Sequence, residues 1–131
     1  MSDYWIQTAS GVDFDLLDPT PEMVRLEDIA KALALTVRYN GHAGFYSVAE
    51  HSVRVSWRCW TLSREDKDVD GLWGLLHDAS EAYTGDLVSP LKRAMRYVGL
   101  VRLGLPTNWP SVFDTIEEKI QSTVNRAFGL E

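Results

Sequence analysis

A single cysteine, Cys59, stands in a chain of 131 residues, so no internal disulfide can form. A reducing, cytoplasmic setting is the expectation, with Cys59 acting as a small buried apolar residue. No run of about 18 apolar residues occurs, which excludes a membrane-spanning helix of the usual kind. The opening MSDYWIQTAS has neither the basic nor the apolar region of a signal peptide. Positive charge is the scarcer sign, with 13 Lys and Arg against 19 Asp and Glu and a net charge of −6. That balance argues against a stable nucleic-acid complex, which needs a basic surface to neutralise phosphates. A single nucleotide remains compatible, because a bound metal and a few local cations outweigh a distant negative field. Such cations are concentrated in Lys92–Arg102, where Lys92, Arg93, Arg96 and Arg102 occur with no acidic residue.

What is present is an ordinary apolar content of 45%, enough for one core and one domain over residues 1–131. Val12, Phe14 and Leu16 alternate with Asp13 and Asp15, the period-two pattern of a half-buried strand. Residues 4–8 and 12–17 around Ala9-Ser10-Gly11 therefore predict a short β-hairpin. Leu26, Ile29, Ala30, Leu33 and Val37 predict a helix over 23–38, stopped by Asn40-Gly41. A second helix, 47–62, opens at Ser47 with Glu50 three residues on, as in a capping box. Val48, His51, Val55 and Cys59 form its stripe, widened by Ala49, Val53, Trp57 and Trp60. Ser63–Asp70 reads as a solvated loop or helix start. A largely buried third helix is expected over 71–83, from Leu72, Leu75, Leu76, Ala79 and Tyr83. A shorter helix follows Ser89-Pro90, then a loop over Arg102–Pro110, then a last helix from Ser111 to about Phe128-Gly129. The architecture is all-α with a small N-terminal hairpin.

The chemistry concentrates at His77 and Asp78. Glu81 follows at helical spacing and Asp86 comes after a Gly85 turn, so one imidazole and three carboxylates crowd ten residues of a buried segment. Neighbouring helical residues diverge by about 100°, so both reach one ion only at the end or flank of the helix. His51 lies on the apolar stripe of the preceding helix, and antiparallel packing faces it towards His77. A His-His-Asp set offers mixed nitrogen and oxygen ligands suited to Mn, Fe, Co, Ni or Zn.

The segments Arg38-Tyr39-Asn40-Gly41-His42, Ser47-Val48-Ala49-Glu50-His51-Ser52 and Leu76-His77-Asp78-Ala79-Ser80-Glu81-Ala82-Tyr83-Thr84-Gly85-Asp86-Leu87 are similar to the HD-domain phosphohydrolase superfamily. In particular they resemble its 5'-deoxynucleotidase-like branch and short phage and prophage relatives, some of which hydrolyse deoxynucleoside triphosphates. Pro90-Leu91-Lys92 extends the likeness, which covers residues 36–92 well. The resemblance implies a metal-dependent (deoxy)nucleotide phosphohydrolase on an HD-like helical bundle. It makes His51, His77 and Asp78 the metal ligands and gives Glu81 and Asp86 acid-base or supporting positions. Arg38 becomes a substrate-phosphate contact, with Lys92 a second. The divalent ion (Mn, Co, Fe, Ni, Zn or Mg) stays open.

One departure stands out. HD enzymes close the site with an aspartate from a later helix, and here the late carboxylates are Asp114, Glu117, Glu118 and Glu131. The first three also read as the acidic first turns of a helix, favoured by its dipole. Either one of these four closes the site, or the chain is a fragment lacking its last helix or a natural short form with a weaker metal site. A non-catalytic HD-type binding module is the alternative. An alarmone hydrolase fits less well, because Ala82 rather than an aspartate follows Glu81. Five tryptophans in so small a domain predict a homo-oligomer, since Trp57, Trp60, Trp73 and Trp109 exceed what one core buries. Trp5 and the hairpin are candidate walls for a base pocket.

Overall fold

The computed structural model describes residues 3–107 and 111–130, so Trp109 and Glu131 lie outside the described residues. The fold is mostly helical with a small antiparallel hairpin at its N-terminal end, as the periodicity predicts. Strands β1 (Trp5–Gln7) and β2 (Asp13–Asp15) pair with Ile6 opposite Phe14. Phe14 is fully buried and stacks on Tyr83 at 3.7 Å between ring centroids, which pins the hairpin to the helical body. Asp15 is also buried, against the simple alternation. Its Oδ1 accepts from the backbone N–H groups of Leu17 and Asp18, so the carboxylate turns the chain rather than facing water.

Helix α1 spans Leu26–Leu35, shorter than the predicted 23–38. A 3₁₀ turn at Pro21–Met23 precedes it, and a second at Arg38–Gly41 carries Tyr39 and Asn40 in the left-handed region at φ 57° and 53°. Helix α2 (Val48–Leu62) is capped by Ser47, whose hydroxyl accepts from the Glu50 N–H. The reciprocal half of the box is replaced, since the Glu50 carboxylate pairs with Arg54 at 2.7 Å. Helix α3 (Lys67–Leu76) starts from Asp66, which accepts from the Asp68 and Val69 N–H groups.

Three expectations are corrected here. The helix predicted over 71–83 is two helices: α3 ends at Leu76, residues 77–80 form a turn, and α4 is a single turn at Glu81–Thr84. The helix after Ser89-Pro90 is long, α5 at Ser89–Leu103, so the predicted loop at 102 begins two residues later at the left-handed Gly104. Val53, Trp57 and Trp60 of α2 are exposed, because the packed face of α2 lies along Val48, Ser52, Ser56 and Cys59. Helix α6 (Val112–Ala127) runs from its Ser111 cap as predicted and buries Ile120, Thr123 and Val124.

Helices α2 and α3 pack antiparallel at close range. Ser56 Oγ donates to the Gly71 carbonyl at 2.7 Å, and a methyl at Gly74 would meet Cys59 Sγ at 2.9 Å and Ser56 Cα at 3.0 Å. Glycine is the side chain that fits there. A methyl at Gly71 would meet Trp60 at an ordinary 3.5 Å. The two glycines therefore predict opposite outcomes in urea unfolding. Gly74→Ala should destabilise by about 1–3 kcal/mol through overpacking against α2. Gly71→Ala should be neutral or stabilise by up to about 1 kcal/mol through helix propensity.

Candidate metal centre

The end of α3 positions the site. His77 is the C-cap residue of that helix and Asp78 the next residue of the turn, so both side chains leave the helix where its ladder has ended. This resolves the difficulty of two adjacent residues serving one point. His77 Nδ1 lies 2.7 Å from the Gly74 carbonyl and donates to it, which leaves Nε2 facing inward. There Nε2 lies 2.9 Å from Asp78 Oδ2 and 3.2 Å from His51 Nε2. His51, one turn into α2, completes the group with its Nε2 at 3.3 Å from Asp78 Oδ2. The three donor atoms all lie within 4.8 Å of one another, and among the described residues they are the group so arranged.

Arg38 reaches the outer edge of His51. Its Nη1 lies 3.0 Å from His51 Nδ1, and the guanidinium rests over the rings of Tyr39 and Tyr46 at 4.8 and 5.5 Å. A guanidinium only donates, so Nδ1 accepts and the proton of neutral His51 sits on Nε2, aimed at Asp78. For Nε2 to become a metal ligand, that proton must move to Nδ1 and Arg38 must withdraw. Arg38 is thus held by the same imidazole whose change of tautomer would free it.

Charges here are strongly coupled. Burial and the Arg38 charge hold the His51 pKa below the ordinary imidazole value, against the pull of Asp78. The hydrogen bond to Asp78 raises that of His77, with burial opposing. Burial would raise Asp78, but its hydrogen bond with His77 and the charges of His77, His51 and Arg38 bring it below the usual carboxylate range. Glu81 is buried, and that burial, with the charges of Asp78, Asp86 and Glu117, pushes its carboxyl up to about 8. Asp86 is close enough for its charge to act on both His51 and Glu81.

Lys92 is committed elsewhere. Its Nζ lies 3.0 and 3.1 Å from the two Glu117 oxygens and sits over the Phe113 ring, so a phosphate would compete with an existing ion pair. Of the late carboxylates, Asp114 is engaged by Arg96 and by its own helix cap. Glu117 faces Lys92 and Glu81 rather than the ligand group. Trp5 is exposed on the hairpin. Beside it, Ile6–Ala9 border a cavity of about 200 Å³ with Asp28, Lys31 and Tyr83. No local pattern marks Tyr46, an aromatic in a loop whose contact with Arg38 depends on the bridge between Val37 and Ser47. Nor does one mark Gln121, which holds the 77–80 turn from α6.

No family model matches the chain. Over 124 residues it is 39% identical to an uncharacterized protein of Rhodobacter capsulatus, the match covering 82% of this chain and 62% of that protein. Over 127 residues it is 32% identical to YfdR, an uncharacterized protein of Escherichia coli, covering 96% of this chain and 59% of the other. The chain thus spans about three fifths of the length of the curated relatives it matches. Neither relative's name assigns an activity. Among the described residues no helix is long and apolar enough to cross a membrane.

The raised Glu81 pKa has a sign that can be checked in metal-free protein. The folded chain holds this proton more tightly than the unfolded chain does, so its stabilising effect is complete below the ordinary glutamate value of 4.5 and is lost as pH rises towards about 8. Thermal unfolding in chelator should therefore show a midpoint that falls across this window. Glu81→Gln should flatten the fall and raise the midpoint at pH 8.

Proposed function

We propose that this chain carries an HD-type metal-dependent phosphohydrolase centre acting on (deoxy)nucleotides and releasing phosphate or triphosphate. The observation that carries the reading is the convergence of His51 Nε2, His77 Nε2 and Asp78 Oδ2 within 4.8 Å, from helix α2 and the turn that follows α3. The donor set suits a first-row divalent ion. The His77 bond to the Gly74 carbonyl is the outer-shell contact that orients a metal-binding imidazole. A divalent ion held there supplies Lewis acidity and a bound water acidic enough to ionise near neutrality.

In this reading the remaining steps belong to side chains. Arg38, released from His51, takes non-bridging phosphate oxygens and offsets charge gained in the transition state. Glu81, protonated near neutrality by its burial, gives a proton to the leaving oxygen, and Asp86 orients the attacking water. Lys92 contributes positive charge through its pair with Glu117 or, exchanged, to the phosphate directly. A homo-oligomer belongs to the same proposal, with the stacked and exposed Trp57 and Trp60 at its interface.

Purified protein supplied with Mn or Co should release phosphate or triphosphate from deoxynucleotides. His77→Ala should reduce this to background, and Arg38→Ala should lower kcat/KM by about 10²–10³-fold. Activity unchanged in His77→Ala overturns the assignment. A wild-type protein that purifies without stoichiometric metal and gains none on titration favours the alternative of an HD-type binding module.

A further inference from the structure

Helix α3 stops at Leu76 and the chain re-enters helix only at Glu81, so a turn flanked by buried residues bears the two residues on which the proposed centre depends. Within the turn the Leu76 carbonyl accepts from the Ala79 N–H at 3.0 Å, whereas the Ser80 N–H finds its partner outside the turn. One side chain of α6 reaches both groups. The Gln121 Nε2 donates to the Leu76 carbonyl at 2.8 Å, and its Oε1 accepts from the Ser80 N–H at 3.0 Å. The second amide hydrogen goes to Asn125 Oδ1 at 3.0 Å, which sets which end of the carboxamide faces which partner. Leu76, Ala79 and Ser80 are all buried, which leaves little room for water to replace these bonds.

We infer that Gln121 is a positioning residue: it brackets His77 and Asp78 by tying both ends of their turn to α6, and so sets the spacing of the metal-ligand atoms. This rests on the metal-centre reading above. The chemistry requires an amide, because one partner is an acceptor and the other a donor. Glutamate keeps the bond to Ser80 but sets an oxygen against the Leu76 carbonyl. Methionine has nearly the same length and satisfies neither. Ligand placement matters on a scale of about half an ångström, so a loosened turn costs affinity even with every ligand present.

The test compares Gln121→Met, Gln121→Glu and a control, Ile120→Val, which loosens a fully buried position of the same helix without touching the turn. Co(II) is titrated into each protein by calorimetry, and amide hydrogen exchange is followed in chelator. Gln121→Met should weaken Co(II) binding by about 10–100-fold. Gln121→Glu should weaken it less, and Ile120→Val should bind as wild type does. In the metal-free proteins, exchange at residues 77–81 should quicken in Gln121→Met and stay near wild type in Ile120→Val. Equal affinity in Gln121→Met and wild type, or an equal loss in Ile120→Val, overturns the inference. If wild type takes up no Co(II), the metal-centre reading fails, and slow exchange at 77–81 in Gln121→Met then overturns the clamp as well.

Discussion

Two histidines, one within α2 and one just past the end of α3, meet only if the helix backbones approach closely, and that approach depends on the absence of a side chain at Gly74. Its α carbon lies where a methyl would strike Ser56 and Cys59. The Ser56 hydroxyl bonds across the same contact to the Gly71 carbonyl. With α2 and α3 held this way, His51 and His77 stand with ring centroids 5.1 Å apart. The same glycine supplies the carbonyl that orients His77, so one residue governs both the spacing of the helices and the direction of the imidazole. Arg38 then meets the outer edge of His51 at 3.0 Å.

Around this contact the charges form a graded set. Asp78 and His77 support each other's charged forms, while His51 is kept neutral by burial and by Arg38. Glu81 is the carboxyl driven to protonate, because it is buried among other carboxylates and Lys92 compensates only in part. Two neighbouring acids with pKa values displaced in opposite directions are the arrangement that acid-base chemistry uses. The net acidity of the chain is no obstacle, since the positive groups facing the site are few and local. Arg38 is held among aromatic rings and Lys92 by Glu117. Both cations thus have protein partners that a phosphate would have to displace, which makes occupancy of the site a rearrangement of existing contacts.

Much of this was legible from one dimension. The hairpin, the Ser47 and Ser111 caps and the last helix follow from period and capping chemistry, which act over a few residues. His51, His77 and Asp78 stood out because titratable groups on apolar stripes are costly unless employed. The break after Leu76 was not legible, since the apolar spacing of Leu72, Leu75, Leu76, Ala79 and Tyr83 continues through it. Local propensity carries no sign of a turn that is secured by Gln121 from 41 and 45 residues away. The same blindness made the packed face of α2 too wide. Val48 and Cys59 of the expected stripe do pack, but Val53, Trp57 and Trp60 are exposed, because the helix closes on α3 through small residues that permit close approach.

Residue type and short-range period were enough for the helical class of the fold and the hairpin at its start, and for singling out His51, His77 and Asp78 as candidates. That His77 and Asp78 sit on a turn rather than within a helix was settled by tertiary contacts. Such contacts also decided that Arg38 caps His51, and that Lys92 answers to Glu117. These are long-range choices, made by which backbones come close enough to touch, and no local pattern encodes them.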